Sequence, residues 1–400
     1  MIFSSDPNRP WTITIFFSFS QSKNNIDESS SSTLNLSHLA FGLEGSENTY
    51  HHRKHYLEEW WRPNITRGYV YLDTAPTGDL LPWSEKSPPY RVNDDLSKLL
   101  EEIKPRSPLM PRMVHGIFEL FHPEKNPLFF VDNLVDVLSK YDHRKYYYIG
   151  YSSEFVLSNY WFNFNQAFGG GGIILSCHLA KALVKDIDRC LRTYLDLSAD
   201  LMTMACLADI RVNLTPHKGV HQTDLRGDLS GFLSSHPKEV VLSLHHFDGL
   251  DPLFPEMDRF EWTRHLMRAA NMDQSRLFQQ TICYHRPKKW SFSIAWGYSV
   301  HIYENILRRS WLQTPTETFQ TWTRSTKPPH FMFQTRRPFG NPCEAPHVFF
   351  FETIQKFYHG NEILTVYSRS APRGLPACDP KYVSKIHVIS PANKSTQVSF

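Results

Sequence analysis

Leu128-Phe129-Phe130-Val131-Asp132-Asn133-Leu134-Val135-Asp136-Val137-Leu138 opens the stretch that decides the fold, and the stretch runs on to Ser176. Val131, Leu134, Val135 and Leu138 recur at helical spacing and predict a short amphipathic helix. Lys145-Tyr146-Tyr147-Tyr148-Ile149-Gly150 is too short and too aromatic for a helix and predicts a buried strand. A loop read as polar leads on to Phe168-Gly169-Gly170-Gly171-Gly172-Ile173-Ile174-Leu175-Ser176. Four successive glycines let the backbone approach a neighbour closely, so the run is a candidate ligand-binding turn, with a flexible hinge as the alternative. Helix, strand, glycine turn and strand together make part of an α/β sheet with a binding edge.

Upstream, His38 to Leu43 reads as a strand, Tyr50 to Trp61 as a helix stopped by Pro63, and Arg67 to Asp73 as a second strand. Strand, helix, strand is the layout of an open nucleotide-binding sheet, with ligand loops at the carboxyl ends. Trp60-Trp61 could stack on a base or simply bury a helix end. Residues 1–33 end in a Ser-rich tract and read as a disordered leader or stem. Residues 74–109 are proline-rich and irregular, and Pro111 to Phe121 could be a helix. Downstream come helices from His178 to Tyr194 and from Ser198 to Asp209, the latter opened by a good capping residue. A strand from Glu239 to His245, a helix from Asp258 to Asn271, and strands at Phe278–Cys283 and Trp290–Tyr298 follow. The last hundred residues are rich in Phe, Trp, Pro and Arg without a clear period and read as an accessory layer. The expected division is 34–258 for the main domain and 259–400 for the C-terminal region.

Forty-three basic and 40 acidic residues nearly balance at a net charge of +3, so nothing points to nucleic acid. No stretch approaches the roughly 18 apolar residues of a membrane-spanning helix, and Trp11 to Phe19 is a poor signal peptide. Six cysteines include no Cys-x-x-Cys pair, which disfavours zinc. Aromatic content of 14% suits either carbohydrate stacking or a large core.

The order of Phe130-Val131-Asp132-Asn133-Leu134, Tyr147-Tyr148-Ile149-Gly150 and Gly169 to Ser176 resembles the fringe-like β-1,3-glycosyltransferases, most closely their plant branch. The likeness covers roughly Leu39 to Pro255, more loosely on to Tyr303. It implies a GT-A-like nucleotide-sugar transferase sheet flanked by helices. The implied activity is inverting transfer of a hexose from a UDP-sugar to a hydroxyl of a glycan or glycoprotein. It also implies Mn²⁺ and a Golgi lumen reached through a membrane anchor that this sequence does not contain. In that compartment disulfides persist, and Cys190–Cys206 and Cys343–Cys378 are the pairs to test.

By resemblance, Gly42 and Gly169, Gly170, Gly171 and Gly172 fall on the donor side. Asp200 falls where the family carries its acceptor-activating acid, although Leu201 stands where a second acid is often found. Read without the resemblance, Asp200 serves its helix N-terminus. His221 falls at the family's metal-ligand histidine, with His245 or His246 as weaker candidates; adjacent strand residues face opposite sides, so only one of that pair can point to a site. Missing are the three consecutive aspartates, with the apolar strand before them, that relatives carry ahead of the Val131 helix. Here Leu120-Phe121-His122-Pro123-Glu124-Lys125-Asn126-Pro127 runs directly into Leu128. Glu124 lies between prolines that preclude a regular strand, and Asp132 reads as a helix cap. The gap reads as a deletion of strand and aspartates together. Such a loss should exceed the few kcal/mol margin of a typical domain, which points to an incomplete gene model. The alternative is a non-catalytic pseudoenzyme or glycan-binding protein.

Overall fold

A computed structural model describes residues 2–3, 11–16, 34–93, 96–105, 111, 114, 128–246, 249–324, 327–341, 344–357, 361–370 and 383–392. It is a mixed α/β structure of several small sheets, one eight-stranded sheet and, among the described residues, ten α-helices.

The strand–helix–strand unit forms as its sequence predicts. Strands Ala40–Gly45 and Arg67–Leu72 pair in parallel around the helix Glu47–Trp60, and Tyr90–Val92 extends the sheet inside the stretch read as irregular. Ser46 caps the helix by accepting the Thr49 N–H. Trp60 and Trp61 are buried against Phe41, so they close a helix end.

The helix Val131–Leu138 also forms, with Val131, Leu134 and Val137 in the core. Asp132 is not its cap. The Gln274 side-chain carbonyl, from far along the chain, accepts the Asp132 N–H at 2.9 Å, while the Asp132 carboxylate pairs both oxygens with Arg62 at 2.7 and 2.8 Å. Ser198 holds the N-cap position of Ala199–Asp209 but makes no capping bond. The expected His178–Tyr194 helix is two helices, Cys177–Val184 and Ile187–Thr193. Residues 112–113 and 115–127, which include most of the expected Pro111–Phe121 helix and the aspartate-motif gap, lie outside the described residues.

Tyr148–Gly150 is a buried strand, antiparallel to Ile174–Leu175 and parallel to Leu214–Pro216. A separate sheet places Ser243–Leu244 between Val220–His221, in parallel, and Leu128–Phe129, antiparallel. The segment read as a polar loop after Gly150 contains the helix Val156–Trp161.

The C-terminal region is a large sheet. His347–Lys356, Glu362–Ser370 and Val383–Pro391 form an antiparallel meander that continues through Ser299–Tyr303, Trp290–Ala295 and Gln280–His285. On its other edge Trp11–Phe16 pairs in parallel with Val383–Pro391, and Ile2–Phe3 pairs with Trp11–Phe16. Part of the stretch expected to be a disordered leader is therefore a strand of this sheet.

The helix Arg259–Met272 joins the two halves. Its capping box is complete: Asp258 accepts the Phe260 and Glu261 N–H groups, and Glu261 accepts the Asp258 N–H. Phe260 meets His55 and Tyr56 of the first helix, and His265 reaches the Phe351 carbonyl of the sheet at 2.8 Å. One continuous core runs from Leu36 to Val388 across the expected boundary at 258. No helix among the described residues is long and apolar enough to cross a membrane.

A second core gathers Leu179, Leu183, Leu191, Met202 and Leu207 around a Cys190–Cys206 disulfide. Cys343 and Cys378 lie outside the described residues. Cys190→Ala with Cys206→Ala should lower unfolding free energy by about 3 kcal/mol, the loop-closure value for a crosslink of this span; urea unfolding under oxidising conditions measures it.

Candidate functional site

Two strands place the site. Tyr148–Gly150 and Leu214–Pro216 run in parallel, and the loops leaving their carboxyl ends border a cavity of about 340 Å³. Tyr151 and Ser152 come from the first loop, Pro216 from the end of the second strand and Lys218 from the loop after it. Phe164 and Asn165 close one side, and Glu239 brings a carboxylate. Carboxyl ends of parallel strands are where open α/β sheets bind ligands. Polar groups of both signs beside two aromatic rings suit a neutral, hydroxyl-rich ligand.

Beside this cavity, along the same loops, lies a buried polar cluster. His221 ends the strand Val220–His221, and its Nδ1 lies 2.8 Å from Glu154 Oε1. The other Glu154 oxygen accepts the Thr223 N–H at 2.6 Å. His221 and Glu154 are only 2% and 3% exposed, so each depends on its partners in the protein for the hydrogen bonds that burial takes from water. His221 Nε2 is buried without a partner. His236 packs against the rings of Phe232 and Phe333, with centroids 4.4 and 4.2 Å away. Burial, then repulsion from His221 and nearby lysines, holds its pKa well below the ordinary value, so it is neutral.

Asp224 lies on the next turn of chain. Ser153 Oγ donates to its Oδ2 at 2.6 Å, and His246 Nδ1 lies 2.7 Å from its Oδ1. Burial pushes the Asp224 carboxyl up, but His246 and the hydroxyls of Ser153 and Ser158 together outweigh it and hold the pKa below the ordinary range. His246 in turn stacks on Trp322.

His221, His245, His246 and the glycine run, far apart in sequence, come together here. A Cβ on Gly170 would lie 2.2 Å from His245 Cε1 and 2.6 Å from Gln222 Oε1. Gly171 donates its N–H to Gln222 and accepts from Ser243 Oγ. All four glycines are buried, so the close approach expected of the run is made to the protein's own side chains. Gly42 lies away in the Ala40–Gly45 strand, opposite Tyr69. Asp200, in the first turn of Ala199–Asp209, adds its charge to the burial that raises the Tyr148 phenol. It does not line the cavity; the carboxylate that does is Glu239, which lies 3.9 Å from His217 Nε2 and shares the lining with Lys218. Sequence reading missed both, since neither stands in a motif.

One donor atom each from Glu154, His221 and His236 lies within 4.8 Å of the other two, the grouping among the described residues that could hold a metal. It does not suit the manganese that the resemblance implies. Two imidazoles outnumber one carboxylate, and both oxygens of that carboxylate already accept hydrogen bonds, whereas Mn²⁺ favours oxygen ligands.

The chain belongs to the family described as a protein family of unknown function, DUF604, whose profile matches residues 158–399. That match takes in His221, His236 and most of the cavity, and crosses the expected boundary at 258. No curated protein matches the chain.

Two outcomes follow from the buried groups. Glu154→Leu should strand His221 and the Thr223 N–H in a dry site and destabilise by about 3–5 kcal/mol, read by denaturant unfolding. Burial also depresses His301, to about 3, as it does His236. A histidine neutral when folded and charged when unfolded supports the fold fully above its ordinary pKa of about 6.5. Stability should therefore fall as pH drops below about 6.5, with His301 contributing about 1.4 kcal/mol per pH unit down to about 3 and His236 adding to the loss; thermal melts across that range test the sign.

Proposed function

We propose that this chain is a fringe-like glycosyltransferase, moving a hexose from a UDP-sugar to a glycan hydroxyl with inversion and a β-1,3 linkage, in the Golgi lumen. What carries the reading is the convergence of the resembling stretches. The Tyr148–Gly150 strand, the glycine turn and His221 meet beside one cavity at the carboxyl ends of two parallel strands.

Inverting transfer needs a base for the acceptor hydroxyl and a positive group facing the departing diphosphate. As the hydroxyl oxygen bonds to the sugar's anomeric carbon, the bond to UDP breaks and the base takes the hydroxyl proton. By position on the cavity, Glu239 is the candidate base and Lys218 the candidate cation. Asp200 keeps that role by resemblance alone. No step is assigned to manganese, because the donor set beside the cavity does not suit it. The same observation favours a second reading, a non-catalytic descendant that binds glycan and transfers nothing.

Calorimetry with UDP, in Mn²⁺ and in chelator, and assays of UDP release from UDP-hexoses with oligosaccharide acceptors separate these readings. The transferase reading expects UDP binding and turnover, with Glu239→Gln lowering turnover by roughly a hundredfold or more. Absence of UDP binding under both conditions would remove it and leave the non-catalytic reading.

A further inference from the structure

Tyr160-Trp161-Phe162-Asn163-Phe164-Asn165 holds four large aromatic side chains within five residues. They are 71%, 58%, 44% and 49% exposed, an unusual amount of ring surface left in water by one short segment. We propose that these rings form a stacking platform for an oligosaccharide entering the cavity.

The platform is mounted rigidly. Asn159, fully buried, accepts the Ser153 N–H at 3.0 Å and donates to the Ser153 and Phe155 carbonyls at 2.8 and 3.1 Å. Ser158 bonds to Asp224, and the Val156 N–H reaches the His330 carbonyl at 3.0 Å. Phe162 leans edge-on against Phe168, the residue before the glycine turn. The Asn163 side chain accepts the Asn165 N–H at 2.7 Å, which fixes the turn carrying Phe164. The helix Val156–Trp161 therefore spends its inner face on buried hydrogen bonds and presents its rings outward. Rings held in place before binding lose little freedom on contact, which favours affinity.

The surroundings choose the occupant. Phe164 and Asn165 line the cavity itself, so the segment that carries the exposed rings ends at a pocket of amide, hydroxyl, amine and carboxylate groups. Flat apolar ring faces followed by mixed hydrogen-bonding groups match a sugar chain, which offers C–H faces and equatorial hydroxyls. A membrane surface would call for clustered basic residues, whereas Lys218 here is matched by Glu239 on the same cavity. The choice of a carbohydrate rests on the proposed function, and it assigns the acceptor side of that reading.

The test uses the full chain without nucleotide. Neutral β-linked tetra- to hexasaccharides of glucose, galactose and xylose are titrated by calorimetry, beside Trp161→Ala and Tyr160→Ala. At least one series should bind, and Trp161→Ala should weaken it about tenfold or more, with an unchanged melting temperature because the ring is exposed. No binding across the panel, or equal binding by Trp161→Ala, overturns the platform. So does Trp161-dependent binding to neutral phosphatidylcholine vesicles, or Trp161-dependent self-association in sedimentation, with the panel blank. UDP takes no part, so failure here leaves the donor-side test standing, and failure there leaves this one.

Discussion

One buried carboxylate ties the site together. Glu154 accepts from His221 and from the Thr223 backbone, and its own carbonyl accepts the Met332 N–H. Three segments far apart in sequence thus meet at one residue. An unpaired carboxylate this deep would cost several kcal/mol, so the arrangement persists only while every partner is in place. The turn from His221 to Asp224, the Ser153–Asn159 network and the mounting of the aromatic helix all hang from that junction.

A second constraint is the joining of the two halves. The helix Arg259–Met272 buries Trp262, Leu266, Met267, Ala269 and Ala270, and touches both the first helix and the large sheet. A helix that is apolar over so wide a face needs cover on more than one side. This is why the core runs unbroken past residue 258 and why no independent C-terminal module separates out.

What the sequence made legible was local. Period was enough for the helices at Val131 and Arg259, and a proline stop helped mark the first strand–helix–strand unit, whereas the expected Asp132 cap did not form. The three histidines and the glycine run could be picked out, but their meeting could not, because strand pairing between distant segments leaves no local signature. Two strands of the C-terminal sheet, Gln280–His285 and Trp290–Ala295, were legible; its other strands were missed, although Ile363, Thr365 and Tyr367 alternate inward along Glu362–Ser370. Consecutive Phe349, Phe350 and Phe351 in the neighbouring His347–Lys356 strand blurred that period. The segment Tyr160 to Phe164 misled differently: its rings suggested nothing of a platform, because exposure depends on which face the buried Asn159 claims.

Among the described residues, two of the small sheets share a core without sharing a strand. Among the described strands, Ala40–Gly45 lies at the edge of one small sheet and Leu128–Phe129 at the edge of another. No ladder of hydrogen bonds joins those two edges. Rings pack across them instead: Phe129 sits 5.7 Å from Phe41 and 5.1 Å from Trp60, and Phe41 lies 5.2 Å from Trp60. Edge-on and tilted aromatic contacts of this kind are favourable beyond the area they bury. Two sheet fragments can therefore share one core through side chains where a continuous sheet would share backbone bonds. Such a seam supports packing but supplies no carboxylates.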